Sequence, residues 1–85
     1  MVNSELLLSS MGQRKEHFQQ TTEQVYNFIR DYIQEYGVSP SQRQIAEGCY
    51  LSRGGLIRYL DRLEAQQRIL RDTGLARSIR LVREE

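Results

Sequence analysis

The chain has 85 residues, a net charge of +1, 39% hydrophobic and 27% charged side chains. That length points to one domain with little room for a deep catalytic cleft. No apolar run approaches the length that spans a bilayer, the single cysteine (Cys49) has no internal disulfide partner, and one cysteine with one histidine is too few for a metal-ligand cluster. These features predict a cytoplasmic protein without cofactor, metal, small-molecule ligand or membrane association, and no acid–base or nucleophile constellation suggests an enzyme.

Residues 1–20 are rich in Asn, Ser, Gln, Glu and Lys and sustain no helical or alternating pattern, so they read as a flexible N-terminal tail, with the folded domain over residues 21–83. Thr21 and Gln24 fit a capping box. Val25, Phe28, Ile29, Tyr32, Ile33 and Tyr36 then recur at spacings of three and four, which predicts a first helix near residues 22–36 with one apolar face, closed by Gly37. Ser39 or Ser41 caps a short second helix around Ile45 and Ala46, with Pro40 tolerated at its start and Gly48 helping to end it. Cys49, Tyr50 and Leu51 form a turn. Ser52 caps a third helix near residues 53–66, whose inward face is Leu56, Tyr59, Leu60 and Leu63. Two short strands follow, Ile69 to Asp72 and Ser78 to Val82, with Ile79 and Leu81 on one face and Arg80 on the other; a Gly-containing link makes them a hairpin. The expected fold is mainly α with a small β-hairpin, a three-helix winged helix-turn-helix.

Charge is unevenly distributed. Residues 1–52 carry four basic and six acidic side chains, whereas residues 53–83 carry eight arginines, three acids and no lysine. Arginine's planar fork suits phosphates and guanine edges, although arginines also serve simply to solvate a helix face. A helix entering the major groove by its N-terminal part would present Ser52, Arg53, Gly54, Gly55, Ile57, Arg58 and Arg62. Arg58, on the side away from the leucines, is the first choice for a base-edge contact. Arg71, Arg77 and Arg80 on the hairpin are candidates for the sugar–phosphate backbone, and Tyr50 is the one tyrosine suited to a phosphate contact. Gly54-Gly55 has two readings: close approach of the backbone to DNA, or a helix that starts late, near Leu56. Cys49 reads as a small buried hydrophobe.

Three stretches, TTEQVYNFIRDYIQEYGVSPSQRQIAE, LIRYLDRLEA and ARSIRLV, stand in an order and spacing that resemble the N-terminal DNA-binding domain of LexA-type repressors, from Thr21 to Val82. The resemblance implies a sequence-specific, double-stranded-DNA-binding transcriptional repressor, with base-reading positions at Ser52, Gly54, Gly55, Ile57 and Arg58 and two copies on a palindromic site. The two glycines offer no side-chain hydrogen bonds, so the operator should differ from the family's usual one. Gln67 stands where the family usually has a helix-ending glycine. The resemblance does not extend to the family's Ser/Lys self-cleaving domain, and the one lysine here, Lys15, falls in the expected tail. The alternative is a winged helix used as a protein-interaction module, an antirepressor or docking subunit, which would expose an apolar patch near Ile57 or Leu75.

Overall fold

A computed structural model describes the backbone of residues 3–71 and 79–82, and their side chains from residue 17 onward. Three helices, α1 (Asn3–Tyr36), α2 (Gln42–Gly48) and α3 (Arg53–Ala65), precede a two-stranded antiparallel hairpin of β1 (Ile69–Arg71) and β2 (Ile79–Leu81). None of the described helices is long and apolar enough to cross a membrane.

The first helix is longer than its apolar stripe predicts. The boundary expected at residue 21 falls inside α1, and Thr21 is not an N-cap. Its neighbour Thr22 is 2% exposed, and its hydroxyl donates to the Phe18 carbonyl one turn back, at 2.7 Å. Threonine has this backward bond available inside a helix as well as the forward one at a cap, so the Thr-x-x-Gln spacing did not discriminate between the two. Phe18 continues the stripe of Thr22, Val25 and Ile29 by one more turn. Its ring stacks on Tyr59 of α3, with centroids 4.9 Å apart. At the other end of α1, Gly37 takes φ +73° and its N–H donates to the Ile33 carbonyl at 2.8 Å, a left-handed cap. Tyr36 shares the stripe's angle but is 63% exposed, its ring meeting that of Tyr32 at 4.5 Å. As the helix's last residue it points where the core points, beside a chain that turns away at Gly37.

Ser41, not Ser39, caps α2. Its hydroxyl accepts the Gln44 N–H at 3.1 Å, and the Gln44 side chain accepts the Ser41 N–H at 2.8 Å. Gly48 does more than end this helix. A Cβ there would stand 2.2 Å from the Phe28 ring, so the glycine lets α2 close on α1. The turn to α3 is held by the Cys49 N–H on the Ile45 carbonyl at 2.9 Å and the Leu51 N–H on the Ala46 carbonyl at 2.8 Å.

Ser52 caps α3, its hydroxyl accepting the Gly55 N–H at 3.0 Å. The helix therefore includes both glycines and does not wait for Leu56. At its end Gln67 takes φ +60°. The Gln67 N–H reaches the Glu64 carbonyl at 2.9 Å and the Arg68 N–H reaches Leu63 at 3.0 Å. This is the crossed pair of bonds usually built around a glycine, formed here with glutamine.

The core is one cluster: Val25 and Ile29 from α1, Ile45, Ala46 and Cys49 from α2 and its turn, Leu56, Leu60 and Leu63 from α3, and Ile69 and Ile79 from the hairpin. Each fully buried Leu or Ile contributes about 1.5–3 kcal/mol over leaving it in water. The strands pair Ile69 with Leu81, Leu70 with Arg80 and Arg71 with Ile79. Alternation then buries Ile69 and Ile79 in that cluster and leaves Leu70 and Arg80 exposed together on the other face.

Candidate nucleic-acid interface

The leucines of α3 fix what its other side presents. With Leu56, Leu60 and Leu63 buried and about 100° of turn per residue, Gly54 and Arg58 fall on the opposite arc, with Asp61 and Arg62 on its two shoulders. Arg53 and Arg58 are exposed, and neither has an ion-pair partner among the described residues. The first turn of α3 holds no acidic side chain, so its free N–H groups and positive dipole end stand beside Arg53 alone. The Ser52 hydroxyl oxygen accepts the Gly55 N–H as the cap, which leaves its O–H able to donate. A Cβ on Gly54 would meet no heavy atom within 4 Å, whereas one on Gly55 would stand 3.1 Å from the Ser52 oxygen. Ile57 is 36% exposed.

Arg62 is exposed but not isolated. Its guanidinium carbon lies 5.2 Å from the centre of the Phe18 ring. The flank of α3 that carries Tyr59 and Arg62 is thus covered in part by α1, which the sequence reading did not foresee. The signal was there: Phe18 is four residues before Thr22 and seven before Val25, in helical phase with both.

The hairpin arginines divide. Arg80 is exposed on the outer face, beside Leu70. Arg71 is not there. Being paired with Ile79, it shares the inner face, and its side chain is only 18% exposed. It donates to Asp61 at 2.5 Å and to Glu64 at 3.2 Å, both on α3. Burial pulls its pKa down, but the hydrogen bonds to Glu64 and Asp61 outweigh that and raise it above the ordinary arginine value. Arg71 therefore fastens β1 to α3 instead of extending into solvent with Arg80. Arg77 and Leu75 lie outside the described residues.

Arg68 also turns inward. It pairs with Glu23 of α1 through two hydrogen bonds, one of 2.9 Å, and its guanidinium carbon sits 4.1 Å from the Tyr26 ring centre. The Arg68 hydrogen bond holds the Glu23 carboxyl below its usual pKa. Cys49 is 5% exposed and burial raises its thiol pKa, which keeps it protonated at neutral pH.

Tyr50 stands in the turn where its sequence neighbours placed it, but with an unusual backbone. It is 92% exposed and takes φ +57°, a left-handed backbone that a bulky side chain rarely adopts. It sits in the α2–α3 turn, two residues before the Ser52 cap.

No family model matches this chain, and no curated protein matches it.

Proposed function

We propose that this chain is a sequence-specific double-stranded-DNA-binding domain, a winged helix-turn-helix that acts in transcriptional regulation as LexA-type repressors do. The observation that carries the reading is the outward arc of α3, where Arg58 stands exposed and without a carboxylate partner among the described residues, one turn beyond an open Gly54. In this reading α2 and α3 form the helix-turn-helix, α3 enters the major groove by its first two turns, and the hairpin is the wing. Arg58 reads a base edge, ideally guanine through both its forks. Arg53, and Arg80 on the wing, hold phosphates. Arg62 works from beside Phe18. The resemblance of the Thr21–Val82 segment to LexA-type domains supports the same assignment. Two copies on a palindrome, with half-sites about one helical turn apart, complete it.

The test is selection of bound sequences from a random duplex pool, followed by titration of Arg58→Ala. The expected outcome is an enriched motif, a loss of about 1–3 kcal/mol for the variant and relaxed preference at one base position. Affinity should fall with salt at a log–log slope of about −0.9 per phosphate contacted.

A second reading, a protein-interaction module, draws on Leu70 at 57% and Tyr50 at 92% exposure. It predicts no enriched motif and a flat salt response.

A further inference from the structure

Arg71 and the two carboxylates it binds pose a question that the DNA-binding reading leaves open. Asp61 lies three residues after Arg58 on α3, and its side chain is 61% exposed; Glu64, one turn further, is 40% exposed. Asp61, one turn from the arginine meant for a base edge, and Glu64, further along and round the helix, should together repel a polyanion. Arg71 reaches both of them from the inner face of β1. Strand alternation, which removes Arg71 from the outer surface of the hairpin, is what delivers it there.

We propose that Arg71 is a built-in counter-ion. It touches no DNA. It cancels one of the two charges of Asp61 and Glu64, so that Arg53 and Arg58 outweigh what remains at the outward arc of α3. It is a positioning residue that acts through its carboxylate partners, and the proposal rests on the DNA-binding reading above. The sequence suggested a phosphate contact for Arg71; the two roles predict different outcomes when the carboxylates are removed together with Arg71.

The experiment measures affinity for a duplex taken from the random-pool selection, and for an unrelated duplex of equal length, across a salt series. Arg71→Ala should weaken binding to both by about five- to tenfold at ~0.1 M salt, where the screening length is about 10 Å, and the deficit should shrink towards 1 M, where it is about 3 Å. Adding Asp61→Asn and Glu64→Gln to Arg71→Ala should bring affinity back to the wild-type level or above. If Arg71 served only to fasten the hairpin, that triple variant would stay weak, because the fastening is still missing. If Arg71 touched phosphate, the triple variant would also stay weak, with a salt slope shallower by about one contact. Either result overturns the proposal. Should Arg71→Ala fail to give the wild-type circular dichroism spectrum, Asp61→Asn with Arg71 intact carries the test: its affinity must rise, and an unchanged or lower value overturns the proposal. Wild-type protein that binds neither duplex overturns both this proposal and the reading beneath it. Wild-type binding that Arg58→Ala weakens, with no rescue in the triple variant, overturns this proposal alone.

Discussion

Replacing Gly54 with alanine should move stability and DNA affinity in opposite directions. Gly54 lies in the first turn of α3, on the outward arc, and a methyl group there would meet nothing within 4 Å. The substitution thus costs no packing and recovers helix propensity, worth up to about 1 kcal/mol. For a domain of this size that gain raises the melting midpoint by about 4–8 °C. Gly55 is the internal control. Its added Cβ would stand 3.1 Å from the Ser52 oxygen that caps the helix, and disturbing a cap costs about 1 kcal/mol, so Gly55→Ala should gain little or nothing. Affinity should run the other way. If the open backbone at Gly54 allows close approach to the duplex, its methyl group holds α3 off the groove and weakens binding by about tenfold, or ~1.4 kcal/mol. Urea denaturation and duplex titration in one buffer measure both quantities. A Gly54→Ala protein that is more stable and binds as tightly as wild type would refute close approach. One that is no more stable would refute the placement of Gly54 inside the helix.

Other substitutions test the packing itself. Gly48→Ala should destabilise by about 1–3 kcal/mol, because the Phe28 ring atoms 2.2 and 2.6 Å from the added carbon must move; Phe28→Leu in the same chain should recover part of that loss in urea melts, and strict additivity would argue against the contact. Gln67→Gly should stabilise by about 0.5–1 kcal/mol, since glycine takes the left-handed φ of +60° without the penalty glutamine carries; a lower urea midpoint would count against that cap. Glu23→Gln should cost at most about 1 kcal/mol at neutral pH, the usual ceiling for a pair this exposed. Because the Glu23 pKa is lowered in the folded state, its contribution is present above the unfolded carboxylate pKa and disappears as pH falls through the folded one. Wild type and variant should therefore converge in acid, and a gap that persists below that range would refute the linkage.

The elements legible in the sequence were those written by local rules. Leu56, Leu60 and Leu63 announced the buried side of α3 by spacing alone, and Ser52 announced its start. Ile79 and Arg80 alternated as a half-buried strand must. What was not legible depended on neighbours distant in sequence. Nothing around Arg71 says that, on the face it shares with Ile69, it will meet Asp61 and Glu64 of α3. Nothing around Gly48 says that Phe28, twenty positions earlier, occupies the space a side chain would need. Thr21 and Gln24 satisfied a capping rule that Phe18, by extending the helix and its apolar face, made irrelevant. In the candidate site the same division holds: Arg58 follows from helical phase, and Arg53, though in phase with Leu56, is exposed as the first residue of α3, whereas the contact of Arg62 with Phe18 needed the packing of α1 on α3.

The net charge of +1 illustrates why composition alone said little about a polyanionic partner. An ion pair removes one charge of each sign, so it leaves the total untouched while deciding where the remainder sits. Here Arg30 is taken by Asp31, Arg43 by Glu47, Arg68 by Glu23 and Arg71 by Asp61 and Glu64. Arg53, Arg58, Arg62 and Arg80, on α3 and β2, have no ion-pair partner among the described residues, while Glu35, also without one, is in the last turn of α1. At physiological salt a charge is felt over about 8 Å, so a phosphate rail approaching α3 responds to those arginines and not to a sum over the chain. The arginine fastened to Asp61 and Glu64 belongs to that local balance as fully as the unpaired ones do, because it cancels one of their two charges, and releasing it would turn both towards the same rail.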